Sequence, residues 1–546
     1  MAEYTPEQWR DRLEQRLHDR WAKWFKFDAY YLGDHTLNFA TQRWNDTFAS
    51  RFGKITDNWC PIVVDSTVER LTVQGFRFGQ EQEADQLAWD IWQANNLDSG
   101  SEMAHTEAVK LGESYWLVEP PVEEGAAPRI TPEHPSQVIV AHVPGDRQRR
   151  MAAFKKWVGE DGYAYCTLYL PDFIFKWESA KPLAKGGSVR GKVDWIERTG
   201  DPGGANSLGV VPVIPLPNSP SMLYGGRSDL AEIIDLQDAI NKILSDMMIG
   251  SEYQAFPQRV LTGVEIPRDE NGAPLRAAAL KAAHDRVWTF SNDNARVHEF
   301  SAADLKNYID AKNSLVSDLA AQTRLPPQYV KGEITNASAD ALKMAETGLV
   351  SRTRRKMPSF GAAHVEAIQL AFRSIGDEAR GREIVAQTIW VDPESRSIAQ
   401  VVDAAVKQQE IGVPQEILWE KIGYSPQEIE RMRTVQAQDL LFQDAGAIAA
   451  EQIEVSTGEP TADQGQISRW LDELLSYVRS GNADAIAVLL ASGWPDEWDA
   501  EIDEMTYAGR EADLELLRRI VQALRSVNGP ATAASIRTLL AQIQAA

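Results

Sequence analysis

Cysteine and histidine are scarce in this chain of 546 residues, which contains two cysteines and eight histidines. Neither Cys60 nor Cys166 lies in a CxxC motif or beside a histidine cluster. This scarcity argues against a disulfide framework and against a structural zinc site, and it fits synthesis in a reducing compartment. We expect the histidines to be structural or to lie on the surface, because none has the short spacing of a zinc pair.

Long apolar runs are also missing. The most apolar stretch, residues 208–217, is short and is interrupted by three prolines, and the first residues are charged throughout. A membrane span needs about 20 consecutive apolar residues, and a signal peptide needs an apolar segment near the start. We therefore expect no membrane association, no signal peptide and synthesis in the cytoplasm.

Positive charge is in short supply. Lysine and arginine together number 56 against 79 aspartates and glutamates, which gives a net charge of −23. Tight binding to nucleic acid over a broad surface depends on lysines and arginines that displace counterions from phosphates. The composition excludes such a surface, although it allows a protein that surrounds DNA without binding it tightly.

Motifs for catalysis are weak. Residues 186–192 nearly match a phosphate-binding loop, with Gly186, Gly191 and Lys192 in place, but Val193 stands where a hydroxyl must reach Mg²⁺. No strong strand precedes this loop, and the residues after it look like a strand where the motif requires a helix. We expect a flexible turn, no catalytic residues and no cofactor or metal; a nucleotide-binding enzyme that uses the 186–192 loop is the alternative.

Apolar periodicity predicts an α+β chain that is predominantly helical. A helix is expected over 5–30, and a second helical region over 81–111 with Leu87, Ile91 and Met103 on its inner face. The period then changes to two, which predicts an antiparallel sheet between 115 and 216.

Three long helices are predicted after the sheet. The first starts at Ser228 and presents a polar face that includes Asp229. An α/β insertion of 256–300 separates it from the second, for which Ser301 and Asp304 offer a capping-box-like start. Ser338 caps the third, and Pro358 should kink it. Two long helices that flank an insertion can form a stalk that projects the insertion from the main body.

A basic cluster on the third helix departs from the acidic background. A solvated face is the simpler interpretation of this cluster, and a contact with phosphate or with an acidic neighbouring subunit is the alternative. The cluster comprises Arg352, Arg354, Arg355 and Lys356.

Extended segments in the right order resemble the portal proteins of tailed phages, especially phages of actinobacteria and other Gram-positive hosts. The resemblance covers roughly residues 5–440, and residues 460–546 match no family that we can name. The segments are YYLGDH at 30–35, DNWCPIVVD at 57–65, VERLTVQGFRF at 68–78, GGRSDL at 225–230, LPPQYVKG at 325–332 and NASADALKMAETGLV at 336–350.

This resemblance implies a portal-like fold and a homo-oligomeric ring, typically of twelve subunits, at one capsid vertex. Double-stranded DNA would pass through the ring without sequence specificity. The implied partners are the terminase large subunit, the head-to-tail adaptor, and the major capsid and scaffolding proteins.

The resemblance also implies a division of the chain. A mixed α/β wing would occupy 1–226, stem helices 227–255 and 301–325, and a small α/β clip 256–300. A channel loop would occupy 326–338, with Lys331, Glu333, Thr335 and Asn336 facing DNA. The kinked long helix and further wing or crown helices would fill 339–445, and a linker with an acidic helical crown extension would fill 446–546.

Overall fold

The computed structural model describes residues 4–35, 56–79, 84–123, 125–183, 193–222, 225–255, 259–262, 296–299, 304–331, 339–394 and 398–436. Residues Met1–Met432 form one compact unit, and Arg433–Ala546 form another, of which 433–436 are described. The predicted linker and crown extension after 446 lie outside the described residues. Where the chain is described, no helix is both long and apolar enough to cross a bilayer.

Helix α1 spans Pro6–Tyr31 and starts at a capping box. The Thr5 hydroxyl accepts from the Gln8 backbone N–H, and the Gln8 side chain accepts from the Thr5 N–H. The predicted apolar face packs into the core, with Leu13, Leu17 and Trp24 buried. The sequence prediction of this helix is confirmed.

The next helices pack on α1 and on each other. Helix α2 spans Cys60–Val68, α3 Gln86–Ala94 and α4 Leu97–Leu111. Ile91 is buried as predicted, but the expected inner positions of Leu87 and Met103 are wrong, because these side chains are 38% and 55% exposed. A break between α3 and α4 at Asn95 and Asn96 changes the helix direction, so one apolar stripe does not continue through both.

The antiparallel sheet predicted between 115 and 216 is confirmed, and it is divided in two. The strands are β2 Glu113–Glu119, β3 Arg129–Glu133, β4 Val138–Val143, β5 Asp146–Val158, β6 Ala164–Tyr169, β7 Phe173–Ser179, β8 Trp195–Glu197, β9 Gly203–Ala205 and β10 Val213–Pro217. A three-stranded sheet has the order β10-β2-β3, and a larger one has the order β4-β5-β6-β7-β8, with β9 also paired to β7.

The first long helix begins with a 3-10 turn at Asp229–Glu232, capped by Ser228, and continues as α5 over Ile234–Ala255. An antiparallel pair of short strands follows, β11 at Arg259–Thr262 and β12 at Arg296–Glu299. Helix α6, Leu305–Thr323, then packs along α5. Asp304 caps this helix, because its carboxylate accepts from the Lys306 N–H at 2.9 Å. Ser301, the other residue of the predicted capping box, lies outside the described residues.

A short helix α7, Pro327–Lys331, precedes the longest helix, α8, which spans Ala339–Ser374 and contains Pro358. Phe360, Ile368 and Phe372 on α8 are fully buried in the same core as α1 and the sheets. The remaining elements are α9 Glu378–Gly381, β13 Ala386–Trp390, α10 Ile398–Glu410, α11 Gln415–Ile422 and a helical stretch at 426–436. Strand β13 pairs antiparallel with β1, Val73–Phe78.

Candidate functional site

The start of the first long helix is held by backbone and hydroxyl contacts. The Ser228 hydroxyl accepts from the Leu230 N–H at 3.1 Å and donates to the Lys110 carbonyl at the end of α4 at 2.5 Å. Beside this contact Gly226 lies against Gly112 so closely that a Cβ at 226 would stand 1.7 Å from the Gly112 carbonyl oxygen. The helix therefore starts from a position fixed on the sheet and on α4.

Asp229, the next residue, points into the interior. Its carboxylate lies 2.5 Å from Arg352 and 2.8 Å from Lys356, both on α8. Asn218, which follows β10, donates to the same carboxylate at 2.7 Å and accepts from Lys356 at 2.6 Å. We call Asn218, Asp229, Arg352 and Lys356 the Asp229 junction.

The junction connects both long helices to α8. Arg352 also donates to the backbone carbonyl of Thr323, the last residue of α6, at 2.8 Å. One guanidinium thus bonds the beginning of the first long helix and the end of the second. Because these two ends meet at Arg352, α5 and α6 run in opposite directions and form a hairpin whose far end carries β11 and β12.

Electrostatics favours the charged form of the junction. Burial alone would raise the pKa of the Asp229 carboxyl, but Lys356 and Arg352 outweigh burial and hold that pKa below its usual range. Burial also lowers the pKa of Lys356, against the opposing effect of Asp229. A buried pair of this kind is strongly destabilised when one partner is removed, because the other charge is then uncompensated.

The basic cluster predicted from the sequence is divided by the structure. Arg352 and Lys356 are largely buried and bonded within their own chain, so a solvated face is the wrong interpretation for these two. Arg354 is 51% exposed and pairs with Asp392 at 2.9 Å. Arg355 is exposed and forms no ion pair within the described residues. Asp229, which the sequence assigns to the polar face of the first long helix, is instead largely buried in the 3-10 turn before α5.

Sequence reasoning missed a second connecting residue, Arg70, just after α2. Its guanidinium donates to the Pro393 carbonyl at 2.7 Å, to the Tyr329 hydroxyl at 3.2 Å, and contacts the Glu346 carboxylate at 3.4 Å. Tyr329 belongs to α7 and Glu346 to the first turns of α8. Arg70 therefore joins α7, which lies within the predicted channel loop of 326–338, to α8, which follows that loop.

The predicted channel-loop residues are only partly described. Lys331 is the last residue of α7. Glu333, Thr335 and Asn336 lie outside the described residues.

The 186–192 loop also lies outside the described residues. The chain after it forms strand β8, as the sequence predicts. A phosphate-binding loop of this type needs a helix N-terminus at that place. The structure therefore gives no support to the alternative of a nucleotide-binding enzyme.

The thiols and histidines are placed for packing. Burial raises the pKa of Cys60 to about 12 and raises that of Cys166 further, which keeps both as unreactive thiols. His105 and His364 are fully buried, with their Nε2 atoms 2.9 Å apart. Within the described part of the chain, no group of three or more histidines, cysteines or carboxylates is arranged to hold a metal ion.

The histidine pair has a defined tautomer. The Trp116 indole N–H donates to His364 Nδ1 at 3.1 Å, so the His364 proton is on Nε2 and is donated to His105 Nε2. Burial lowers the pKa of His105 to about 3 and lowers that of His364 well below its usual value. Both rings are neutral and join α4 to α8, which confirms a structural role for His105.

Comparison with known proteins extends over most of the chain. A family model described as "Phage portal protein, SPP1 Gp6-like" matches residues 11–439. The portal protein of Mycobacterium phage D29 is 34% identical over 388 residues, which cover 68% of this chain and 77% of that protein. The portal protein of Mycobacterium phage L5 is 34% identical over 391 residues, with 68% and 76% covered.

Solved structures add a weaker likeness. A chain from the virion of a native gene transfer agent particle gives a TM-score of 0.36 at 12% identity and covers 66% of this chain and 87% of that one. A chain from the neck of the same kind of particle, computed with C12 symmetry, gives 0.37 at 12% identity with the same coverage. These values are too low to carry an argument.

The family match covers residues 11–439, the region in which the sequence segments, α5, α6 and α8 all lie. This match and the two mycobacteriophage relatives confirm the resemblance drawn from residues 5–440. The chain therefore belongs to the SPP1 Gp6-like family of phage portal proteins.

Proposed function

We propose that copies of this portal protein close into a ring, twelve in number, at one vertex of the capsid. Duplex DNA enters and leaves the head through the axial channel of this ring. The ring also provides the docking platform for the terminase large subunit during packaging and for the head-to-tail adaptor afterwards, and it contacts the major capsid and scaffolding proteins.

The observation that carries this proposal is the helical hairpin rooted in the Asp229 junction. Arg352 bonds Asp229 at one root and the Thr323 carbonyl at the other, so α5 and α6 form a paired stalk. Strands β11 and β12, which lie between these helices in sequence, are then held at the far end of the stalk. This order supports a stem at 227–255 and 301–325 with the clip between them at 256–300.

The rest of the assignment follows the order of the chain. The compact region of α1 to α4 and the antiparallel sheets would be the wing, 1–226. Residues 326–338 would be the channel loop, with Lys331, Glu333, Thr335 and Asn336 toward DNA. Residues 339–445 would provide the long helix and wing or crown helices, and 446–546 the acidic crown extension.

The charge of the chain supports a conduit. With a net charge of −23, a ring of these subunits is strongly negative. Walls rich in lysine and arginine would retain DNA, because each neutralised phosphate adds affinity. Acidic and polar walls repel the duplex weakly and allow it to slide. We infer that the protein has no catalytic role and that a separate ATPase supplies the energy of packaging.

Native mass spectrometry of the purified full chain tests the proposal. Closed rings give one narrow set of masses at a single integral multiple of the chain mass, expected at twelve. A chain that stays monomeric at all concentrations contradicts the proposal. An ATPase assay on the same material should show no turnover; turnover that is lost in Lys192→Ala would favour the nucleotide-binding alternative.

A further inference from the structure

Arginines converge on one side of α1 and on the hairpin between β4 and β5. Arg12, Arg16 and Arg20 follow one another at four-residue steps on α1, which packs against β4 and β5. Arg147, Arg149 and Arg150 lie at the start of β5. We call these six residues the arginine face.

Four arginines of the face, two from each group, act on one imidazole. His142 on β4 is half buried, and its pKa is lowered by burial and by the charges of Arg150, Arg16, Arg147 and Arg20, in that order. Arginines from α1 and from β5 therefore act on the same point. In a chain with a net charge of −23, this concentration of positive charge is exceptional.

Part of the arginine face is neutralised within the chain. Arg20 pairs with Glu113 at 2.7 Å, and Arg150 pairs with Glu366 at 2.5 Å. Two of the six guanidiniums of the face thus form these ion pairs. The nearby Asp146 carboxylate accepts from the backbone of Gln148 and Arg149 and not from a guanidinium of the face.

Two guanidiniums of the face, those of Arg16 and Arg149, form neither an ion pair nor a hydrogen bond within the described residues. Arg16 is half buried, and its pKa is lowered by burial and by the neighbouring Arg20 and Arg12, against smaller opposing effects of Tyr115 and Glu113. Removing a cation from water without a paired counter-charge is unfavourable, so Arg16 is suited to an anion supplied from outside the chain. Arg149 is exposed and offers a second cation that such an anion can reach.

We propose that the arginine face is one side of the contact between neighbouring copies of this chain, and that it binds carboxylates on the next copy. The inference rests on the proposed ring. In a cyclic head-to-tail contact two different patches of the same chain meet, so a basic patch on an acidic chain faces an acidic surface of its neighbour. This contact also offsets the repulsion between highly negative subunits.

The chemistry of the face favours carboxylates over DNA. Guanidiniums bind carboxylates in bidentate geometry, and the guanidiniums of Arg16 and Arg149 offer two such positions. A DNA-binding surface instead needs a track of uncompensated positive charge along the phosphates. Glu113 and Glu366, which pair with arginines of the face, interrupt such a track.

The test is Arg16→Glu combined with Arg149→Glu in the full chain, measured by native mass spectrometry across a concentration series. We expect the concentration needed for half assembly to rise at least about tenfold, because like charges would then meet across the contact. The matched control combines Arg382→Glu with Lys407→Glu, which changes the net charge equally at positions 72% and 69% exposed outside the face. The control should assemble as the unaltered chain does.

The conservative pair Arg16→Lys and Arg149→Lys gives a second readout, which is informative even if the charge-reversed double variant does not fold. It should keep ring assembly, and carbodiimide should link position 149 to a carboxylate of another copy, seen as a covalent dimer. No such link in assembled rings overturns the inference.

The remaining outcomes separate the two proposals. If the unaltered chain forms no ring, the proposed function fails. If it forms rings and the reversed double variant forms them equally well, only the arginine face is refuted. If that variant keeps its rings but loses retention of linear duplex DNA, the face binds phosphate and the inference is overturned.

Discussion

Asp229→Asn is the most informative single change in the body of the protein. The substitution keeps the size of the side chain and removes its charge, which leaves Arg352 and Lys356 side by side without a counter-ion. Their side chains are 14% and 3% exposed, so water cannot replace the lost carboxylate. Breaking a buried ion pair in this way costs about 3–5 kcal/mol of unfolding free energy.

Urea unfolding followed by tryptophan fluorescence measures the loss, and hydrogen exchange along α5 shows where it occurs. The matched control is Arg354→Ala, which removes a half-exposed pair with Asp392 and should cost at most about 1 kcal/mol. Asp229→Asn combined with Lys356→Met should cost less than the two single changes together, because Lys356→Met removes one of the two cations that Asp229→Asn leaves without a counter-ion. An Asp229→Asn variant no less stable than the control would refute the junction.

The junction also sets a pH dependence. The pKa of Asp229 is lowered in the folded chain from an ordinary value of 3.8. The stabilisation is therefore fully present above that value and is lost as the pH falls below it and the carboxylate of the folded chain takes up a proton.

Three further predictions follow from other contacts. His105 and His364 are neutral in the folded chain but take up a proton near pH 6.5 in the unfolded chain. As the pH falls below 6.5, the free energy of unfolding should therefore decrease by about 1.4 kcal/mol per pH unit for each of these histidines, and His364→Gln should halve the contribution of the pair. Urea unfolding at a series of acidic pH values measures this slope, and an unchanged slope in the variant contradicts the prediction. Gly226→Ala should lower the free energy of unfolding by about 3 kcal/mol or more, or prevent folding, because the new Cβ would meet the Gly112 carbonyl. The control Gly204→Ala places its Cβ in open space, so its melting temperature should be close to that of the unaltered chain. Arg70→Ala should cost about 1.5–3 kcal/mol and speed proteolysis at α7; equal proteolysis rates would show that Arg70 does not hold this segment.

Local features of the fold were predictable from the sequence. The capping box of α1 depends on Thr5 and Gln8, three residues apart, and its buried face follows a helical period. The strands β4 to β6 alternate visibly along the chain. These features depend on residues that are close in sequence, so the sequence alone can indicate them. Strand β8, which follows residue 192, was predictable for the same reason.

The contacts of the site join residues far apart in sequence, and composition gives no sign of them. Asp229 and Arg352 are separated by 123 residues, and in the local sequence around residue 229 this carboxylate resembles any solvent-facing one. Arg70 acts through Tyr329 and Glu346, each more than 250 residues away. Only packing of the helices on each other brings these groups into a common buried space.

Electron microscopy of the purified full chain tests the central claim most directly. The account predicts rings with twelvefold symmetry and an axial hole wide enough for a DNA duplex, and a channel surface that is acidic or polar. Compact particles without a hole, or a hole lined with arginine, would contradict it.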